Sequence, residues 1–102
     1  MILTEKKSLI EIRNSIEKRL AERYTALFNV NDKKCFVYGK DCYFIISALT
    51  WKKSGESVIL AEYADSLDEA KKHLFGEDGE LFYVDEMTED EIYEAIVNEI
   101  EE

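Results

Sequence analysis

Between Cys35 and Tyr63 the chain carries three runs of aromatic and β-branched residues, separated by short polar breaks that each contain a glycine. Cys35-Phe36-Val37-Tyr38 leads into Gly39-Lys40-Asp41. Cys42 to Trp51 follows, and Lys52-Lys53-Ser54-Gly55-Glu56 turns the chain into Ser57 to Tyr63. Such runs are strand formers, and the breaks are turn formers. In the second run Tyr43, Ile45, Ser47, Leu49 and Trp51 point one way, and Phe44, Ile46, Ala48 and Thr50 the other. Both sides are largely apolar, which predicts a central strand covered on both faces. Three consecutive strands with short connections pair most simply as an antiparallel meander.

The flanks read as helices. From Thr4 to about Leu27, the residues Leu9, Ile12, Ile16, Leu20, Tyr24 and Leu27 recur at spacings of three or four and form one apolar stripe. Glu11, Arg13, Glu17, Lys18, Arg19, Glu22 and Arg23 fall on the other faces. Thr4 is one candidate N-cap, and Ser8 with Glu11 forms an alternative capping box. Ser66-Leu67-Asp68-Glu69 opens a second helix to about Phe75, with Gly76 suited to the position just past its end. After a turn at Glu77-Asp78-Gly79, Leu81 to Val84 reads as a short strand. Thr88 to Glu91 is a further capping box, with Met87 and Ile92 placed as a hydrophobic staple. The closing helix, about Glu89 to Ile100, carries an Ile92/Ile96/Ile100 stripe that suits its own sheet or a second copy. The expected class is α+β, in the order α-β-β-β-α-β-α, with helices packed on a three-stranded antiparallel meander.

That α-β-β-β-α core resembles, in element order over about 70 residues, the double-stranded-RNA-binding domain, a family that meets phosphates with a basic helix start. The matching helix start here is Ser66-Leu67-Asp68-Glu69, which is acidic and repels phosphate. The family's RNA binding is therefore not expected of this chain.

With 102 residues, the chain is expected to form one domain, residues 1–102. No apolar run approaches the length of a membrane span, and the first residues lack a signal-peptide core. Cytoplasmic placement follows as the expectation. Cys35 and Cys42 flank the first turn and read as free thiols, with a bridge as the alternative. There is no Cys/His cluster with zinc spacing and no phosphate-binding glycine loop. The acids around Gly79 lack the EF-hand pattern. His73, the single histidine, reads as a helix-end residue. No catalytic role, cofactor or metal is expected.

The charge distribution is the informative functional signal. The formal charge is −10. All thirteen Lys and Arg lie at or before Lys72, and residues 76–102 hold twelve acids and no base, a formal −12. The first 75 residues, with eleven acids against thirteen bases, come to +2. Glu99, Glu101 and Glu102 sit at the helix end that the dipole disfavours for acids. Carboxylates one helical turn apart are about 5–6 Å apart, near the spacing of phosphates along a strand. Such a surface attracts basic grooves and repels nucleic acid itself.

In its length, its Glu/Asp-only stretch from Gly76 to Glu102 and its lack of catalytic motifs, the chain resembles the small acidic inhibitor proteins of phages and mobile elements, including DNA mimics and anti-CRISPR proteins. That resemblance implies a stoichiometric inhibitor of a basic nucleic-acid-binding protein, such as an RNA-guided nuclease. Its implied contacts are Glu77, Asp78, Glu80, Glu86, Glu89, Asp90 and Glu94. A non-mimic interaction module, such as an immunity or assembly protein, is the other expectation. It would present Trp51, Tyr38, Tyr43 and Tyr63 as an aromatic sheet face.

Overall fold

A computed structural model describes residues 8–76 and 79–102. The elements run α1 (Leu9–Arg23), β1 (Thr25–Val30), β2 (Lys33–Tyr38), β3 (Cys42–Thr50), β4 (Ser57–Ala64), α2 (Leu67–Lys71), β5 (Glu80–Tyr83) and α3 (Glu89–Glu101). The class is α+β, as expected, but the antiparallel meander has five strands rather than three, in the order β1-β2-β3-β4-β5. Each strand pairs with its sequence neighbours.

The two added strands have different origins. The strand expected at Leu81 to Val84 is β5, one residue earlier, and it joins the edge of the meander on β4. Residues 25–27 were expected to be the end of the first helix, with a connection after them. Instead α1 ends at Arg23, and Tyr24 is already extended at φ −122°. Thr25, Phe28 and Val30 suit a strand, and the two residues Asn31-Asp32 close a hairpin in which Val30 faces Lys33. Asn31 takes the left-handed conformation this turn needs, at φ 57°. Leu27, expected on the buried helix stripe, lies where the β1–β2 register shifts and is 44% exposed.

Alternation divides the sheet into two faces. Phe36, Phe44, Ile46, Ile59, Ala61 and Phe82 share one core with Ile16 and Leu20 of α1 and Ile92, Ile96 and Ile100 of α3. The closing helix thus packs on its own sheet. On the opposite face Ala70 of α2 and Phe75 pack with Val30, Cys35, Tyr43, Ile45 and Ala64. Cys35 and Cys42 belong to different faces and are both free.

The start of α1 is the capping box Ser8/Glu11. Two charged residues assigned to its solvent faces, Arg13 and Glu17, are buried, at 7% and 9% exposure. They ion-pair one turn apart. Arg13 Nε donates to the Ile46 carbonyl at 3.0 Å, and Glu17 accepts from the Lys34 amide at 3.1 Å. The β2–β3 ladder is paired from Tyr38/Cys42 to Phe36/Phe44. Two residues further along, the same register would set Lys34 opposite Ile46. The side-chain pair therefore occupies the place of the next rung and satisfies two backbone groups left by it.

Helix α2 is shorter than expected. It ends at Lys71, with Lys72 as C-cap and His73 in the left-handed conformation at φ 60°. The Leu74 amide donates to the Glu69 carbonyl at 2.8 Å and the His73 amide to Ala70 at 3.1 Å, which is the Schellman pattern. His73, rather than Gly76, is the residue past the helix end. Gly76 returns to the sheet, where its amide donates to the Tyr63 carbonyl at 2.8 Å. Gly79 approaches β4 closely: a Cβ there would stand 3.0 Å from the Ala61 carbonyl oxygen. Among the described residues, no helix is long and apolar enough to cross a membrane.

Candidate functional site

The start of α1, the β5–α3 connection and the start of α3 enclose an open groove of about 820 Å³. Leu9, Ile12, Val84 and Met87 form its apolar part and Ser57 adds a hydroxyl, while Asp85, Glu86, Glu89 and Asp90 supply carboxylates. The connection is held in place. The Val84 amide donates to Ser57, and those of Glu86 and Met87 donate to Tyr83, at 3.0–3.2 Å. The capping box expected at Thr88/Glu91 is formed, with the Thr88 amide donating to Glu91 at 2.9 Å and the Glu91 amide to Thr88 Oγ1 at 3.1 Å. Met87 and Ile92 join the same core cluster, as a staple requires.

The seven acids expected as contacts separate. Glu86, Glu89 and Asp90 come together on the groove. Glu94 is exposed on α3, one turn from Asp90. Glu80 sits in β5 opposite Ala61, half-buried and away from the groove. Glu77 and Asp78 lie outside the described residues. Asp85, absent from that set, lines the groove and is exposed. Its signal was its place beside Glu86. The apolar lining had no signal of its own, because Leu9, Ile12 and Met87 read as core.

Part of the acidity serves the packing of α1 against α3. Arg19 reaches Asp90 at 2.7 Å and Glu89 at 3.5 Å, and its guanidinium lies 4.0 Å from the centre of the Tyr93 ring. Ser15 donates to Glu89 at 2.8 Å. Arg23 donates twice to Glu101, at 2.7 and 3.0 Å, and the Tyr24 hydroxyl donates to the same carboxylate. Hydrogen bonds from Arg23 and then Tyr24 pull the Glu101 carboxyl down to about 2. Burial, then the bond to Glu101, pushes the Tyr24 hydroxyl well above its ordinary range. The acid at the disfavoured end of α3 is thus matched across the helix pair rather than within its own helix. What remains outward is a stripe of exposed acids: Asp85, Glu86, Glu91, Glu94, Glu99 and Glu102.

A second hollow, about 250 Å³, is lined by Asp41, Cys42, Tyr63, Asp65 and Glu99 among others. Among the described residues, the buried Tyr63 hydroxyl has no hydrogen-bond partner. Burial, then Glu99 and Glu80, pushes it far up. Burial also pushes the Cys35 thiol to about 11, and burial with Asp41 and Asp65 raises that of Cys42. Both therefore stay as weakly nucleophilic thiols. His73 is exposed. Among the described residues, no group of three or more His, Cys, Asp or Glu could hold a metal ion.

The four aromatics considered for a sheet face are divided between environments. Tyr38 packs edge-on against Tyr24, and Tyr63 lies by Phe44 on the helix side. Tyr43 belongs to the cluster under α2, and Trp51, just past β3, is 42% exposed. Away from α2 that second face is aliphatic, with Leu60 opposite Leu81 and the buried Val58 between Leu49 and Tyr83.

No family model, no curated protein and no solved structure matches the chain.

Proposed function

We propose that the chain is a small acidic inhibitor that binds a basic nucleic-acid-handling protein, such as an RNA-guided nuclease, and covers the groove in which that protein holds nucleic acid. The observation that carries this reading is the outward acid stripe from Asp85 to Glu102, which has no basic residue in its own segment and is left over after Arg19 and Arg23 have matched Glu89, Asp90 and Glu101. Carboxylates fixed on a helix present a periodic negative surface to a phosphate-binding site. The reading makes the chain a cytoplasmic, non-enzymatic protein that needs no cofactor and binds no nucleic acid itself.

The test is a pull-down from nuclease-treated bacterial lysate, washed at low and then high salt. A basic nucleic-acid-binding protein retained at low salt and released by salt is expected, since exposed charge pairs are screened. The eluted partner should then lose cleavage or binding activity when the chain is added. A partner that survives high salt instead favours a non-mimic interaction module using the sheet face around Leu60, Leu81 and Tyr83, where Leu81 is 41% exposed.

A further inference from the structure

We propose that the groove between the starts of α1 and α3 receives a segment of the partner in which a Lys or Arg stands beside an apolar side chain. The apolar side chain would rest on Leu9, Ile12, Val84 and Met87, and the cation would meet Asp85 and Glu86. This rests on the reading that the acidic end is a partner-binding surface, and it adds the form of the contact.

The groove combines two chemistries that a purely phosphate-like surface would not. Its apolar part is four half-buried aliphatic and thioether side chains from two segments far apart in the chain, α1 and the β5–α3 connection. Water over such a surface is released when an apolar group covers it. Its rim is acidic, but the four carboxylates are not equivalent. Glu89 and Asp90 already face Arg19. Asp85 and Glu86 are exposed, and among the described residues neither forms an ion pair. An incoming cation is therefore matched best at the β5–α3 connection, within reach of the apolar part. The walls are pre-formed by two capping boxes and by the turn bonds to Tyr83, so little ordering cost falls on this side of the contact. Met87 suits such a place, because its flexible thioether adapts to differently shaped apolar side chains.

Charge excludes an acidic or phosphorylated occupant. A second copy of the chain is the competing occupant. Its exposed turn holds Trp51, Lys52 and Lys53, the same pairing of apolar and basic chemistry. Against it stands the formal charge of −10 on each copy.

The experiment titrates the full chain with a labelled peptide of alternating Lys and Leu, a matched peptide of Lys and Ser, and one of Glu and Leu. The Lys/Leu peptide is expected to bind, and the other two at least about tenfold more weakly. The double variant Asp85→Lys, Glu86→Lys should lose Lys/Leu binding by a similar factor. The charge-matched variant Glu22→Lys, Asp41→Lys, on exposed positions away from the groove, should not. Amide shifts on addition of peptide should fall on residues 9–12 and 84–90. Equal binding of the Lys/Ser peptide, equal loss in both variants, or shifts around Leu60 and Leu81 would each overturn the proposal. So would self-association of the peptide-free chain that is abolished equally by Asp85→Lys, Glu86→Lys and by Lys52→Glu, Lys53→Glu. A salt-released lysate partner indifferent to Asp85→Lys, Glu86→Lys would leave the inhibitor reading standing and remove the groove. Peptide binding in the groove without any nucleic-acid-handling partner would do the reverse.

Discussion

Lys34 and Ile46 would face each other if the β2–β3 ladder continued, and they are joined instead through Glu17 and Arg13. A helix-borne ion pair thereby completes a sheet. The pair sits at 12% and 8% side-chain exposure, so each charge depends on the other and on the backbone group it holds. Removing one partner from such a buried pair costs about 3–5 kcal/mol, whereas replacing both with apolar residues is often close to neutral. Glu17→Ala is expected to lower the urea midpoint sharply. The double variant Arg13→Leu, Glu17→Leu should lose less, because the ladder can then close directly. A double variant as unstable as the sum of its singles would show that the rung cannot form.

The Arg23–Glu101–Tyr24 contact gives stability a defined acid dependence. The folded carboxyl titrates at about 2, against an ordinary value of 4.5. A depressed folded value means that the contribution is fully present above the ordinary value. It fades as pH falls through 4.5 towards 2. Thermal melts of the native chain should therefore drop across that window. Glu101→Gln should start lower at neutral pH and lose part of the slope. The Arg23–Glu101 pair is partly solvent-exposed, so added salt should shrink the difference.

The acids of the β5–α3 connection and of α3 should separate into two groups on substitution. Glu86→Lys, Glu91→Gln and Glu94→Lys touch exposed positions, and for Glu86 and Glu94 a stability change within about 0.5 kcal/mol is expected. Glu91→Gln keeps the capping-box geometry. The triple variant should stay folded by circular dichroism while losing the salt-released partner. Glu89→Lys should instead destabilise, since it sets a cation against Arg19.

The two thiols should differ in access and never pair. Cys35 is fully buried and its thiol is pushed to about 11. Cys42 is half-buried on the other face of the sheet. Alkylation of the native chain at neutral pH should label Cys42 slowly and Cys35 only on unfolding. Oxidation should yield no intramolecular bridge, as read by mass after mild oxidant treatment.

Much of the architecture was legible, and the misses have physical causes. The strands from Cys35 to Tyr63 and the helix starts at Ser66 and Thr88 follow from alternation and capping chemistry, both of which are local, whereas for the first helix the same chemistry offers both Thr4 and Ser8. The helix expected to reach Leu27 was misread because Tyr24 and Leu27 continue a helical spacing by coincidence. The competing signal was the Asn31-Asp32 turn, which only has meaning once β2 is there to pair with residues 25–30. Arg13 and Glu17 looked solvated because charge is usually a surface property. Their burial is set by a gap in a ladder elsewhere in the chain. At the candidate site, Glu86, Glu89 and Asp90 could be singled out from charge alone. That Glu89, Asp90 and Glu101 are matched by arginines of α1 needed the crossing of two helices, which no local pattern encodes. The apolar part of the groove was hidden for the same reason, since Leu9 and Met87 are far apart in sequence.

Along the thirteen residues of α3, side chains that close the core and side chains that carry negative charge alternate turn by turn. Ile92, Ile96 and Ile100 share one core with Ile16 and Leu20, and they follow α1 and all five strands in the chain. The acid stripe can take its folded spacing only when those three isoleucines are seated. An unfinished or clipped chain would therefore lose its capacity to engage a partner at the same step at which it loses its fold. Half-made copies would then have no ordered stripe with which to occupy the partner unproductively.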